Sequence, residues 1–109
     1  MDMVIGRFEV WLVSLDPTQG SEIAKTRPCL VVSPNTINQR LNTVMVSPMT
    51  STQKRYPTRV NCHFAGQDGQ VALDQTRSVD KSRLVKRIGN LDDATCHQVC
   101  QVLVAIFTY

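Results

Sequence analysis

Residues 7–15 carry apolar side chains on both sides of an alternating pattern. Phe8, Val10 and Leu12 point one way; Glu9, Trp11 and Val13 point the other. A strand that is apolar on both faces belongs to a small closed or stacked sheet, and a tryptophan at its middle belongs to the core. Residues 29–32 are a short continuous apolar run, opened by Pro28 and closed by Ser33-Pro34-Asn35. Such a run predicts a strand buried on both faces, with the proline at its first position. Residues 36–42 are polar and predict a loop or a short irregular turn; a third strand covers 43–47. Residues 58–64 alternate cleanly, with Val60, Cys62 and Phe64 inward and Arg59, Asn61 and His63 outward. A turn at 65–69 leads to a short strand at 70–74 and a bent or second strand at 75–80. A single helical turn at 81–83 and a last strand at 84–88, stopped by Gly89-Asn90, complete the sheet. From 92 to 107 the period becomes helical: Cys96, Val99, Leu103 and Ile106 form a stripe, widened by Cys100 and Val102. Asp92 is the predicted N-cap, and Asp93 suits the first turn.

Several short strands and one terminal helix predict a mainly β fold: a small, partly open antiparallel barrel with a C-terminal helix, residues 1–109 forming one domain. A chain of 109 residues has room for one modest core. No apolar run reaches the length of a membrane span, and the N-terminus lacks the basic-then-apolar layout of a signal peptide, so a cytoplasmic protein is expected. The four cysteines, Cys29, Cys62, Cys96 and Cys100, lie inside apolar or periodic segments and are expected as reduced thiols. Cys96, His97 and Cys100, with Cys62-His63, lack the paired spacing of structural zinc sites, so no metal site is expected.

Two polar loops carry the candidate chemistry. The first runs from Leu15-Asp16-Pro17 through Gly20-Ser21-Glu22 to Thr26-Arg27-Pro28. Pro28 pins Arg27 in extended geometry, and an arginine fixed at a strand mouth is a phosphate or carboxylate clamp. The second loop, Pro48-Met49-Thr50-Ser51-Thr52-Gln53, is rich in hydroxyls and ends in Lys54-Arg55-Tyr56-Pro57. Hydroxyls and cations are what a phosphodiester needs around it. The net charge of +3 is mild, but its distribution is uneven. From Ile23 to Gln67 no residue is acidic, while Lys25, Arg27, Arg40, Lys54, Arg55 and Arg59 fall there. Arg77, Lys81, Arg83, Lys86 and Arg87 make a second basic stretch. Together they predict a basic face for a polyanion. His63 sits mid-strand, away from both loops and without a neighbouring acid to orient it, so it is set aside as a general base. His97, on the helix, is weaker still. A nucleophile elbow, a phosphate-binding glycine loop and a zincin motif are all absent from the sequence.

Taken in order, these segments resemble the MazF/PemK (Kid) family of bacterial toxins. Residues 7–18 look like the family's opening strand, and Gly20-Ser21-Glu22 with Thr26-Arg27-Pro28 like its first loop. Pro48-Met49-Thr50 with Tyr56-Pro57 looks like its second loop, and residues 73–84 like its third segment. Phe8 departs from a frequent glycine, and Ser14 from a frequent acid or asparagine. The resemblance implies an SH3-like barrel of the CcdB/MazF kind and a homodimer. It further implies a sequence-selective endoribonuclease on single-stranded RNA, without metal or cofactor, silenced by a MazE/PemI-like antitoxin. Carried over by position, it implies catalytic roles for Arg27, on the phosphorane charge and its proton, and for Thr50, on the scissile phosphate. The substrate-groove candidates are Ser21, Lys25, Gln53, Lys54, Tyr56, Asp74, Gln75 and Arg77. Arginine is a poor base, with a pKa above about 12. Glu22 is therefore the candidate acceptor of the 2′-hydroxyl proton, provided partial burial makes its carboxylate more basic. The alternative is a non-catalytic poison of gyrase, as in the CcdB branch. That branch relies on a terminal Trp-Gly-Ile, whereas this chain ends Ile106-Phe107-Thr108-Tyr109.

Overall fold

β1 (Glu9–Ser14) is apolar on both faces because each face lies over its own core. Val10 packs on one side with Leu30, Val60, Val71 and Val99. Trp11 and Val13 pack on the other with Leu15, Cys29 and Val46. Trp11 is buried, as its mid-strand position predicts, and its indole N–H donates to Glu9 Oε1 at 3.1 Å. A computed structural model describes residues 3–109.

The remaining elements are β2 (Thr26–Val31), α1 (Asn35–Arg40), β3 (Thr43–Thr50), β4 (Arg59–Phe64), β5 (Gln67–Ala72), β6 (Arg77–Asp80), β7 (Leu84–Asn90) and α2 (Asp93–Phe107). Single 3-10 turns occupy Leu73–Gln75 and Lys81–Arg83. The seven strands are ordered β4-β5-β3-β2-β1-β7, with β6 also on β3, and every pairing is antiparallel. This is the expected mainly β, partly open barrel closed by a C-terminal helix.

Several boundaries differ from expectation for local physical reasons. The polar stretch after Pro34 is helical: α1 starts with the amides of Ile37 and Asn38 on the Pro34 carbonyl, both at 3.0 Å. Its buried face is one asparagine, so no apolar period announces it. Asn38 Oδ1 accepts from the Ser33 hydroxyl at 2.5 Å, and its Nδ2 donates to the Ser33 carbonyl at 2.9 Å. β2 begins at Thr26, which places Pro28 inside the strand, opposite Leu12. β3 runs through Pro48-Met49-Thr50, assigned to a loop from sequence, because Met49 and Thr50 pair with β5. The hairpin turn is only Ala65-Gly66, both at positive φ, as a tight two-residue turn requires. β5 accordingly starts at Gln67 and ends at Ala72, leaving Asp74 in a 3-10 turn. β7 continues through Gly89-Asn90 because β1 pairs with both. Phe8, where the family often has glycine, takes a left-handed φ of 69°.

α2 begins as expected. The Asp92 carboxylate accepts from the Thr95 amide at 3.1 Å and from its hydroxyl at 2.7 Å. Cys96 and Val99 are buried under it, but the stripe leaves the core at Ile106, which is 38% exposed. Val99→Ala should therefore cost about 2 kcal/mol of unfolding free energy through the cavity it opens. Ile106→Ala should stay within about 0.5 kcal/mol of wild type, both read by urea denaturation.

Candidate functional site

The two expected loops meet through strand pairing. β2 and β3 are in register with Cys29 opposite Pro48, so the strands run from there towards Arg27 and Thr50. Thr50 lies opposite Gln70 of β5, and Gln70 opposite Asn61 of β4. Directly opposed residues share a face, so Thr50, Gln70 and Asn61 form one transverse row on the same side of the sheet. Arg27 and Thr50 line a common cavity of about 180 Å³, together with Met49, Ser51, Asp68 and Gly69. Gly69 makes the approach of β5 possible: a Cβ there would stand 2.8 Å from the Thr50 carbonyl oxygen.

Arg27 is half-buried, and its Nε donates to the Ala24 carbonyl at 3.1 Å, which leaves the guanidinium's NH2 groups for a ligand. The buried Cys29 thiol is close enough to feel both Arg27 and Arg77. Burial pushes that thiol up to about 12, outweighing the downward pull of Arg77 and Arg27. Thr50 Oγ1 accepts from the Thr52 amide at 3.1 Å, so the hydroxyl proton is free to point outward. A half-buried cation beside a neutral hydroxyl donor is chemically suited to a pair of anionic oxygens.

The other candidates divide into ligand-facing and structural groups. Ser21, Lys25, Gln53, Lys54 and Tyr56 are exposed on the two loops. Gln75 is not an open groove residue: its Oε1 accepts from the Ile23 amide at 3.1 Å and its Nε2 donates to the Ser21 carbonyl at 3.2 Å. It clamps the first loop. Arg77 is likewise committed on one side, donating from Nη1 to the Leu15 carbonyl at 3.1 Å. Asp74 is taken by Arg59, with bonds of 2.7 and 3.1 Å, and by the Thr58 hydroxyl at 3.0 Å. Arg59 also lies over the Tyr56 ring at 5.4 Å, so this pair fastens the end of the second loop. Glu22 is exposed and accepts from the Gln19 amide at 2.5 Å. The burial that its role as proton acceptor required is absent.

The basic face is narrower than the charge distribution predicts. Arg83 donates to the carbonyls of Ser14 and Asp16, Lys81 to that of Asn38, and Arg87 pairs with Glu9 at 3.0 Å. Arg40 sits on α1, next to Ile37 and Leu41. His63, set aside for want of an acidic neighbour, has one: Asp68 is its cross-strand partner, with Nδ1 and Oδ1 2.7 Å apart. Both are exposed at the sheet edge. Sequence reasoning also missed Gln70, which is 5% exposed and holds the second loop by its backbone. Only its place opposite Thr50 and Asn61 reveals it, and that is a pairing no local pattern encodes.

Fold and site together define a small curled antiparallel sheet that brings an arginine and a threonine to one cavity. Residues 6–107 match the family described as PemK-like, MazF-like toxin of type II toxin-antitoxin system. The chain is 37% identical over 108 residues to the endoribonuclease PemK of Escherichia coli, covering 94% of this chain and 81% of that protein. MazF from Deinococcus radiodurans superposes with a TM-score of 0.86 at 27% identity, over 99% of this chain and all (100%) of that one. MazF in the MazE–MazF complex of the same organism gives a TM-score of 0.78 at 29% identity, covering 96% of both chains. The chain belongs to the PemK/MazF toxin family.

The Asp74–Arg59 pair makes a stability prediction. The Arg59 guanidinium and the Thr58 hydroxyl hold the Asp74 carboxyl below the usual range, against a smaller opposing effect of burial. A lowered pKa in the folded state adds stability above the unfolded value, near 3.8, and loses it as pH falls through the folded one. Asp74→Asn should cost about 1–2 kcal/mol at pH 7, and the difference from wild type should shrink below about pH 4. Urea denaturation over a pH series reads this; an equal cost at pH 7 and pH 3 would refute it.

Proposed function

We propose that the chain is a sequence-selective endoribonuclease toxin that cuts single-stranded RNA, mRNA included, without a metal or other cofactor. The observation that carries this reading is the common cavity of Arg27 and Thr50. Attack by a ribose 2′-hydroxyl on its own phosphate needs no external water: the new O2′–P bond replaces the P–O5′ bond, leaving a 2′,3′-cyclic phosphate, and the proton lost by the 2′-hydroxyl is balanced by the one the leaving 5′-oxygen takes up. It needs in-line positioning and stabilisation of the charge that develops on the phosphorane. The Arg27 fork supplies two parallel donors to phosphate oxygens, and its fixed charge suits that task. The Thr50 hydroxyl donates to the scissile phosphate and helps to set its orientation. Lys25, Lys54, Gln53 and Ser21, exposed on the two loops that carry Arg27 and Thr50, hold the adjoining backbone, while Tyr56 offers a stacking surface. DNA is spared because it lacks the nucleophile.

The relative from Deinococcus radiodurans forms a complex with MazE. By that likeness the partner here is a cognate antitoxin of MazE/PemI type, an acidic segment competing with RNA for the same cations. Its affinity then falls with salt. We take the active form as a cytoplasmic homodimer, as the family resemblance implies. Among the described residues no helix is long and apolar enough to cross a membrane.

The direct test is cleavage of a long, end-labelled single-stranded RNA in excess EDTA. Wild type should give discrete cuts, and Arg27→Ala should lower the rate at least about 100-fold, the scale of a lost transition-state donor. Absence of cleavage by folded, antitoxin-free wild type would favour a non-catalytic toxin, with gyrase inhibition tested next. Glu22 has a structural part in this reading: its carboxylate shapes the first loop through Gln19. Glu22→Gln, which keeps an oxygen acceptor there, should leave the shape of the pH–rate profile unchanged. A missing acidic limb in that profile would return Glu22 to the role of base.

A further inference from the structure

The second loop is tied down by one buried amide, and the consequence falls on a different residue. Gln70 Oε1 accepts from the Lys54 amide at 2.9 Å, and its Nε2 donates to the Lys54 carbonyl at 2.9 Å. These two bonds fix which end of the Gln70 amide is which, because a backbone N–H only donates and a carbonyl only accepts. The second Nε2 proton goes to Asn61 at 3.0 Å, so the Asn61 atom facing it is Oδ1. Asn61 is exposed, and its NH2 group is therefore the end turned away from Gln70. A surface asparagine ordinarily turns either end to a ligand. This one has its polarity set from below.

Asn61 is also well placed. It stands in the same transverse row as Thr50, one strand beyond Gln70. It borders a cleft of about 430 Å³ shared with Lys54, Arg55, Tyr56, Arg59 and Gln70. Tyr56 is 51% exposed with Arg59 over its ring, which leaves aromatic surface for stacking. Lys54 and Arg55 are exposed cations at the same opening. An aromatic surface, two cations and one oriented amide are the parts of a nucleobase subsite.

We infer that this cleft takes a nucleobase adjoining the scissile phosphate and that Asn61 selects a keto base there. The inference rests on the ribonuclease reading and deepens it. The exocyclic group decides the match. Guanine O6 and uracil O4 are acceptors and meet the Asn61 NH2. Adenine N6 and cytosine N4 are donors and oppose it. Gln70 is the positioning residue, since it acts only through the orientation it gives Asn61.

The test is a randomised single-stranded RNA pool, cut by wild type, Asn61→Asp and Asn61→Ala, with the ends sequenced. Asn61→Asp keeps an oxygen for Gln70 and turns the outward group from donor to acceptor, so the network below it survives. A thermal melt checks each fold. Wild type should favour G and U over A and C by roughly tenfold at one position beside the cut, the order expected for one well-placed base contact. Asn61→Asp should invert that preference towards A and C. Asn61→Ala should flatten that position alone. The inference falls if the three profiles are the same, or if wild type prefers A or C at every position flanking the cut. A wild type that cuts nothing removes the ribonuclease reading and this inference with it. Cutting with unchanged base preference removes the inference alone.

Discussion

The site depends on β3 changing partners along one edge. Val46 pairs with Arg77 of β6, and three residues later Met49 pairs with Val71 of β5. Between them the edge has no ladder, and side chains take its place. The Thr76 hydroxyl donates to the Leu73 carbonyl at 2.8 Å, so its single proton is used. The Ser47 hydroxyl, 2.6 Å away, must then donate to Thr76. That short chain closes the gap between β5 and β6. Beyond it β3 pairs with β5, which puts Thr50 in the row of Gln70 and Asn61. On its other edge β3 stays with β2. Arg27 and Thr50, far apart in sequence, reach one cavity because β3 pairs with β2 on one edge and with β5 on the other.

Charge in this chain is mostly bound in the structure. Arginine forks close loop ends and strand ends: Arg83 on Ser14 and Asp16, Arg77 on Leu15, Arg59 on Asp74. A guanidinium suits this work because it satisfies carbonyls that a curled sheet leaves without partners while remaining partly hydrated. On the two loops, what remains for a polyanion is a short file, Lys25 and Arg27, then Lys54 and Arg55; Arg40 and Lys86 are exposed elsewhere. A run of like charges in sequence counts cations without saying which are already engaged. The acid-free window keeps most of its cations open, with Arg59 taken by Asp74, while the second basic stretch is the one the fold consumes.

The elements legible in the sequence are those whose burial pattern is written in apolar residues. β1, with its two apolar faces, and the first turns of α2, with Cys96 and Val99, are of this kind. α1 was not legible because its buried contact is polar, between Asn38 and Ser33. Arg27, Thr50 and the loops that carry them can be named as candidates from residue type and order. The division of labour among their neighbours cannot. Gln75 and Asp74 look like ligand residues in a list of polar side chains. Three-dimensional pairing shows their hydrogen-bonding groups already committed to Ser21, Ile23 and Arg59.

The buried thiol that feels both arginines has a consequence for the clamp. Cys29 is wholly enclosed, and Arg77 and Arg27 both favour its thiolate. If that anion formed, it would offset part of the positive charge of the two guanidinium groups. Desolvation is the larger effect and carries the thiol up to about 12, so at neutral pH the group under the clamp has no charge. A carboxylate in that place would pair with the cations and spoil them as anion receptors. A larger apolar side chain would overfill a site already packed between Trp11 and Val31. Cysteine is small, nearly apolar and held neutral by its burial. The first loop's arginine can thus rest on the core without losing charge to it, as a half-buried cation must if it is to meet an incoming phosphate at full strength.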